Sequence, residues 1–571
     1  MKPTPTSTYF LAAVALGILI QSSAIIIWDS WVNYTPPLNI KPPSTYIQGD
    51  RIVEHVIIVL VDGARPDLAL LYGNESGFGT LYMDGVWFHS VYAYTPTYST
   101  PARAAIATGL PHELTGVSSN EYDDGELSIP NIFSLAKEMG LTTAVVGDTS
   151  IKRLFNSSID IYVKIPDEFG QQRRSMEVAL DIIRDDPPNL MWIGLSDVDM
   201  AGHMYGAASE EYRRALQEAS ELIQLLIDTL YEEGIISDTL LIVLSDHGHL
   251  DIGGHGDDEE EVRRILMSLY GGPVLGRARI GDVGYPLYYT AVAPTVTAML
   301  GLPGKIYSDQ PPLIYGVRGY IMGQMMNYTY IVKENYRMIL EELLTIYEQE
   351  ITLEEYDATL SKLRMSVADG DVEAFIERLV EIQSIQYETY GYLTSKLYQP
   401  EMIWRVIGIM IPLTLSLAVV YLVRRRGLRA SVINILIGLA STSLGLYYFT
   451  YVAGFRGTMS SVNNIAEYLN TIIISAAIAI LASALLIMLY RRIGRVGGED
   501  LIQIHLTMVL ASLINTSTTL FSYGPLVRFP FPDWTMAYNF YTSMIYTGFI
   551  LILGIIIPVS HYISTKVSKK L

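Results

Sequence analysis

Two aspartate–histidine groups in this sequence have the spacing of metal ligands. Asp246 and His247 are adjacent, and Asp199 precedes His203 by four residues. Carboxylate oxygens and imidazole nitrogens together favour Zn²⁺, with Mn²⁺ as the alternative. The predicted ligands are Asp62, Asp246 and His247 for one divalent ion, and Asp199, His203 and His255 for a second. Two ions roughly 3.5–4 Å apart would hold the attacking and leaving oxygens of a phosphoryl transfer.

A serine at the predicted start of a helix is the candidate nucleophile. Pro101 suits the first turn of a helix that we expect to run to Gly109, so Ser99 would lie at its N-terminus. Free backbone N–H groups and the helix dipole favour anions at such a position. A neighbouring metal ion would activate Ser99 as an alkoxide. Asn120 would donate a hydrogen bond to a non-bridging phosphate oxygen.

Three short apolar runs must position these residues. Residues 55–61, 191–195 and 240–244 each precede one of the motif aspartates by at most four residues. Continuous apolar runs are typical of parallel strands buried on both faces, and ligands bind beyond the carboxyl ends of such strands. We therefore predict an α/β catalytic domain over residues 45–325, with a parallel sheet flanked by helices.

The motifs as a set resemble the alkaline phosphatase superfamily. The resemblance is greatest to the type I phosphodiesterase and nucleotide pyrophosphatase family and to its relatives, the glycosylphosphatidylinositol (GPI) ethanolamine phosphate transferases. Asp62-Gly63-x-Arg65-x-Asp67 resembles their first motif, and Ser99-x-Pro101 matches the position of their nucleophile. Residues 116–123 are similar to the segment with the phosphate-binding Asn, whereas 253–256 and 293–301 look more like the transferase branch. The resemblance implies that Ser99 joins Asp62, Asp246 and His247 around one metal ion.

The rest of the chain contains long uncharged runs that predict membrane helices. Spanning a bilayer takes about 20 apolar residues. Six runs qualify approximately, at 3–28, 406–423, 430–452, 468–490, 502–523 and 539–561. We predict an uncleaved N-terminal anchor over 1–30, a helical stalk over 330–400 and a membrane domain of about five helices over 402–565.

Charge indicates the orientation of these parts. Residues 50–400 carry 53 of the 59 acidic and 24 of the 39 basic residues, a net charge of −29, whereas the remainder has a net charge of +9. Basic residues flanking membrane helices remain cytoplasmic, so the acidic region is predicted to be extracytoplasmic in a multi-pass cell-membrane protein. Four glycosylation sequons, at Asn33, Asn74, Asn156 and Asn327, agree with that side. A domain with this net negative charge does not neutralise a phosphate backbone, which excludes nucleic acid as a partner.

These features predict a membrane-anchored, two-metal phosphodiesterase or phosphotransferase that forms a phosphoseryl intermediate on an extracytoplasmic nucleotide or lipid-linked substrate. A sulfatase is the alternative, because Ser99-x-Pro101-x-Arg103 also fits the sulfatase signature. A binding module without catalysis is a third reading. Asp197 is expected to support Asp199, and His249 to have a structural or solvent-exposed role.

Overall fold

The computed structural model divides the chain into two compact units, Thr35–Ser395 and Met1–Tyr34 with Lys396–Leu571. The structure describes residues 5–32, 48–166, 168–346, 352–397, 432–453, 455, 458–462, 465–491, 496–513, 516 and 534–568.

The unit Thr35–Ser395 is built around a mixed eight-stranded sheet. Its strand order is β5-β4-β6-β1-β7-β8-β2-β9, and β10 pairs with β3 in a separate ribbon. The strands are β1 His55–Val61, β2 Val86–Phe88, β3 Val91–Tyr92, β4 Thr143–Val146, β5 Ile161–Val163, β6 Leu190–Leu195, β7 Thr239–Leu244, β8 Met267–Gly271, β9 Ala278–Ile280 and β10 Leu287–Tyr288.

The three predicted strands are confirmed as β1, β6 and β7, and they are neighbours in the sheet. Strands β5, β4, β6, β1 and β7 run parallel, so their carboxyl ends meet at one edge. The prediction of a wholly parallel sheet is corrected at β8, which runs antiparallel to both β7 and β2. The segment between β7 and β8, residues 245–266, carries His247 to His255.

The central strands β1, β6 and β7 are buried along almost their whole length and are apolar except for His55 and Thr239 at the starts of β1 and β7, the pattern of strands covered by helices on both faces. Side chains alternate along β1, and Ile57, Val59 and Val61 join one large cluster with residues of the helices on that face. Apart from α1 Pro5–Val32, which belongs to the other unit, the helices are α2 Pro66–Gly73, α3 Gly77–Asp84, α4 Ser99–Thr108, α5 His112–Thr115, α6 Ile132–Glu138, α7 Thr149–Phe155, α8 Gln172–Asp185, α9 Asp197–Tyr205, α10 Glu210–Glu232, α11 Glu260–Arg263, α12 Val292–Met299, α13 Gly319–Ile346, α14 Glu354–Asp369 and α15 Val372–Leu397.

Helices α13 and α15 are joined to the α/β part by a buried polar contact. Lys333 of α13 donates to the backbone oxygen of Asp309 at 2.7 Å and to Gln386 Oε1 of α15 at 2.9 Å. Its ammonium group also donates to Gln383 Oε1. These helices therefore belong to the same compact unit as the sheet.

The other unit contains α1, α16 Val432–Tyr447, α17 Ile465–Tyr490, α18 Gly498–Ser512, α19 Trp534–Leu553 and α20 Ile556–Ser568. Within the described part of the chain, four stretches are long and apolar enough to cross a membrane: Thr6–Trp28, Val432–Val452, Ala466–Tyr490 and Thr535–Ser560. They match four of the six predicted runs. The run 406–423 lies outside the described residues, as does most of 513–523, while 502–512 form part of α18.

Candidate active site

Ser99 is the first residue of α4, as its sequence context predicts. Tyr98 before it is extended, and Gly109 ends the helix in the left-handed conformation at φ 84°. Proline at the third position costs the helix no hydrogen bond, since the first N–H groups have no partner within the helix. Ser99 Oγ lies 3.2 Å from Nε2 of His247, which follows β7. The helix start and the loop after β7 thus bring the candidate nucleophile to the predicted ligands.

Asp62, Asp246 and His247 form a first buried group whose donor atoms all lie within 4.8 Å of one another. Asp62 follows β1 and Asp246 follows β7, so the pairing of these two strands explains the meeting. Burial, together with the neighbouring carboxylate of Asp246, raises the pKa of Asp62 well above its ordinary value. Burial also raises the pKa of Asp246.

The hydrogen bonds of His247 show why a cation fits this group. Its Nδ1 lies 3.1 Å from the backbone oxygen of Gly248, which can only accept, so Nδ1 carries the proton. Burial lowers the pKa of His247, which keeps the ring neutral and leaves a lone pair on Nε2. That atom faces Asp62 Oδ1 at 3.4 Å and Asp246 Oδ2 at 3.5 Å. Asp62 Oδ1 is buried and has no hydrogen-bond partner in the described part of the chain. Converging acceptors of this kind suit a divalent ion.

A second group lies beside the first. Asp199 Oδ1 is 3.6 Å from His255 Nε2 and 3.5 Å from His203 Nε2, and the two histidine nitrogens are 3.0 Å apart. His255 Nδ1 lies 2.6 Å from the carbonyl oxygen of Thr97, so its proton is held there and Nε2 offers a lone pair. Burial would raise the pKa of Asp199, but His203 and a hydrogen bond from His249 lower it well below its ordinary value. The three predicted ligands of the second ion therefore converge.

His249 belongs to this second group, although the sequence favours a peripheral role for it. It is fully buried, and its Nε2 lies 2.7 Å from Asp199 Oδ1. Nδ1 accepts from the backbone N–H of Gly254 at 3.1 Å, so Nε2 bears the proton and donates to the carboxylate. A Cβ on Gly202 would lie 2.5–2.7 Å from this ring, so only glycine there leaves room for it.

Arg103, which the sequence indicates only as part of the sulfatase-like motif, contacts the candidate ligands Asp62 and Asp246. It lies one turn after Ser99 on α4 and is buried against three carboxylates. Nη2 donates to Asp62 at 2.6 Å, Nη1 to Asp246 at 2.7 Å and Nε to Asp148 at 2.7 Å. A guanidinium presents donors on several edges of one plane, which an ammonium cannot do. The signal was present in the sequence, because Asp148 follows strand β4 as Asp62 follows β1.

Asn120 lies at the open side of the site. Its Oδ1 accepts from the backbone N–H of Thr100 at 2.8 Å, so the other polar atom of the amide is Nδ2, which is a donor.

The prediction that Asp197 supports Asp199 is wrong, because the Asp197 carboxylate accepts from the backbone N–H groups of Gly170 and Gln171 instead. Arg65 pairs with Asp67 at 2.8 Å and with Asp251 at 2.7 Å, which braces the loop that carries His249.

Known proteins are similar to this chain over the region that carries the candidate site. The sequence model of the type I phosphodiesterase / nucleotide pyrophosphatase family matches residues 56–139 and 142–269, which include Asp62, Ser99, Asp199 and Asp246. Over these residues the α/β unit is similar to that family, a branch of the alkaline phosphatase superfamily.

Several superfamily members are similar over part of their length. GPI ethanolamine phosphate transferase 3 of Schizosaccharomyces pombe is 21% identical over 288 residues, 47% of this chain and 31% of the transferase. Human ectonucleotide pyrophosphatase/phosphodiesterase family member 1 is 26% identical over 216 residues, 34% of this chain and 23% of the human protein. The chain thus spans less than a third of either relative.

Solved structures of the superfamily overlap the same region. Murine ectonucleotide pyrophosphatase/phosphodiesterase 5 in complex with AMP is 15% identical with a TM-score of 0.39, and covers 44% of this chain and 95% of its own. A 2-O GAG sulfatase is 15% identical with a TM-score of 0.36, and covers 44% of this chain and 71% of its own.

Proposed function

We propose that this chain is a membrane-anchored, two-metal phosphodiesterase or phosphotransferase that acts outside the cytoplasm through a phosphoseryl intermediate. The observation that carries the proposal is the position of Ser99. Its Oγ lies at a helix N-terminus, 3.2 Å from a histidine lone pair that faces two buried carboxylates. Nucleophile, anion-favouring helix end and acceptor groups that suit cations therefore meet at one point.

The residues divide the chemistry among them. Two divalent ions, Zn²⁺ or Mn²⁺, would supply charge neutralisation and Lewis acidity when held by Asp62, Ser99, Asp246 and His247 and by Asp199, His203 and His255. Ser99 Oγ attacks phosphorus, the bond to the leaving oxygen breaks, and overall the serine proton ends on the leaving alcohol. Asn120 Nδ2 donates to a non-bridging oxygen. Water or an acceptor hydroxyl then takes the phosphoryl group from Ser99.

The membrane helices favour a lipid-linked phosphodiester over a soluble nucleotide as substrate. Four apolar stretches of this length are more than an anchor for a soluble substrate requires. The similarity to GPI ethanolamine phosphate transferases supports phosphoethanolamine transfer as the specific reaction. The match covers only 31% and 50% of those relatives, so their acceptor is not carried over to this chain and must be identified by experiment.

An activity screen of the purified full chain tests the proposal. Lipid and nucleotide phosphodiesters would be supplied with and without an alcohol acceptor. Release of free phosphomonoester identifies a hydrolase, and labelling of the acceptor identifies a transferase. We expect Ser99→Ala to lower turnover by roughly 10³-fold or more, whereas Ser99→Thr keeps a hydroxyl and part of the activity. Full activity in Ser99→Ala would exclude the phosphoseryl intermediate, and absence of turnover in the wild type with every diester would favour a binding module.

The Ser99-x-Pro101-x-Arg103 motif makes a sulfatase the second candidate. In sulfatases of this kind the first residue of the motif is oxidised to formylglycine. Intact mass analysis of the peptide that contains residue 99, with matched sulfate and phosphate esters as substrates, separates the two chemistries. We expect an unmodified serine and a preference for phosphorus.

A further inference from the structure

Arg153 brings a cation to the residues that flank the nucleophile. It lies on α7, and its Nη2 donates to Thr100 Oγ1 at 3.2 Å and to the backbone oxygen of Asn120 at 3.1 Å. Thr100 follows Ser99 in the chain, and Asn120 is the proposed phosphate donor. The guanidinium is therefore held at the open side of the site, between the helix start and the Asn120 segment.

The rest of this guanidinium is available to a ligand. Across the residues that the structure describes, Arg153 has no carboxylate within 4.0 Å, and its Nε and Nη1 make no hydrogen bond. Its side chain is exposed, so these donors face solvent. Arg103 differs, because it is buried and neutralised by three carboxylates. Arg153 can therefore still bind an anion, whereas Arg103 cannot.

The charge of the surroundings makes such a cation significant. Residues 50–400 have a net charge of −29, which repels an anionic substrate, and the repulsion grows with each further charge that the substrate carries. Close contact with a guanidinium offsets this repulsion locally, because a charge-assisted hydrogen bond is stronger than a neutral one. An unpaired arginine at the site therefore benefits a doubly charged substrate more than a singly charged one.

We propose that Arg153 is a specificity residue that recognises negative charge carried by the substrate beyond the single charge of a phosphodiester. The extra charge would lie either on the reacting phosphate, as in a monoester, or on a second phosphate elsewhere in the substrate. The inference rests on the proposed function only in assigning the reacting phosphate to Ser99.

Substrates that share a p-nitrophenyl leaving group test it. One pair is methyl p-nitrophenyl phosphate and p-nitrophenyl phosphate, which adds a charge to the reacting phosphorus. The other is the p-nitrophenyl ester of thymidine 5′-phosphate without and with a 3′-phosphate. In Arg153→Gln we expect kcat/KM for the more highly charged member of one pair to fall about 10-fold more than for its partner. The pair that responds identifies where the extra charge lies, and Arg153→Lys should retain part of the preference.

Lys152→Gln is the matched control, since it removes the same charge one residue away. Lys152 Nζ lies over the ring of Tyr162, 5.4 Å from its centroid, and bonds the backbone oxygen of Asn156. This variant should keep the wild-type preference. Equal losses for both members of each pair in Arg153→Gln would mean that Arg153 only holds the Asn120 segment, and would overturn the inference, as would an unchanged profile.

A binding measurement keeps the test independent of turnover. If the wild type cleaves none of these esters, the proposed function fails, but inorganic phosphate can still be titrated by calorimetry. Weaker binding by about 10-fold in Arg153→Gln, with Lys152→Gln unchanged, supports the anion contact. Equal affinity in the wild type and in Arg153→Gln overturns it.

Discussion

Hydrogen-bond partners decide which nitrogen of each buried histidine in the site carries its proton. His247 and His255 each hold the proton on Nδ1 against a backbone carbonyl, which leaves Nε2 as an acceptor. His249 is reversed, because a backbone N–H occupies its Nδ1. Two histidines are thus prepared to bind a cation, while the third is prepared to donate to a carboxylate that binds one.

This distinction predicts that His249 positions Asp199 and does not bind metal itself. In His249→Gln we expect two ions per chain, as in the wild type, with an affinity weaker by about 10–100-fold, the usual effect of losing a group that orients a ligand. Elemental analysis gives the stoichiometry, and competition with a chromogenic chelator gives the affinity. His89→Gln, outside the site, should change neither. Loss of one ion in His249→Gln would show that His249 is a ligand.

The hydrogen bonds of Arg103 connect helix α4 to three strand ends. The guanidinium neutralises Asp62, Asp148 and Asp246, and removing it would leave buried carboxylates without a partner. We expect Arg103→Met to lower the free energy of unfolding of the metal-free protein by about 3–5 kcal/mol. With the metal ion added the loss should be smaller, because the ion also neutralises two of these groups. Thermal unfolding of detergent-solubilised protein, with chelator and with metal, measures both.

Arg173→Met is the control for this prediction. Arg173 pairs with Glu218 at 2.8 Å, but about half of its side chain is exposed. Such a pair contributes about 0–1 kcal/mol, so this variant should unfold close to the wild type. If Arg103→Met were equally stable, or if metal made no difference to its loss, the neutralising role of Arg103 would be wrong.

Helices α13 and α15 are joined through a buried lysine whose titration can be measured. Burial lowers the pKa of Lys333 from 10.5 to about 7, although the nearby Asp309 opposes this shift. Between these two pH values the unfolded chain binds one proton more than the folded chain. The free energy of unfolding should therefore rise with pH through this window, by up to about 1.4 kcal/mol per pH unit from this group.

Lys333→Met should remove that rise. We expect the difference in melting temperature between wild type and variant to change steadily from pH 7 to pH 10, in favour of the wild type. Lys362→Met, at a half-exposed lysine of α14, provides the control and should run parallel to the wild type. Parallel curves for Lys333→Met would contradict a buried, shifted lysine.

The sequence predicts the elements that carry local signals and misses those that depend on distant partners. Strands β1, β6 and β7 and the start of α4 follow from apolar runs and from Pro101. The antiparallel direction of β8 does not, because a strand's direction depends on which neighbour it pairs with. The contacts of Arg103 and Arg153 likewise depend on how α4, α7 and the strand ends are assembled, although the position of Asp148 after β4 gives a partial signal for Arg103.

At the scale of the whole chain, charge is divided between two regions of opposite sign. The region 50–400 has a net charge of −29, and the remainder +9. Eleven of the 15 basic residues outside 50–400 lie at Lys2, at 424–429, at 491–495 and at 566–570. These eleven fall on one side if six helices cross the bilayer, whereas Arg456 and Arg528 fall on the other, and the majority assigns the first side to the cytoplasm.

Cysteine labelling tests this topology without background, because the chain contains no cysteine. Single cysteines at Glu232, an exposed residue at the end of α10, at Gly427 and at Leu571 would be treated in intact cells with a membrane-impermeant maleimide. We expect Glu232→Cys to react at once, and Gly427→Cys and Leu571→Cys to react only after permeabilisation. Glu232 and Leu571 lie on opposite sides only if an odd number of helices separates them. The predicted five satisfies this condition, and four would not. Immediate labelling of Gly427→Cys would mean that residues 406–423 do not cross the membrane, and it would break the link between basic residues and the cytoplasmic side.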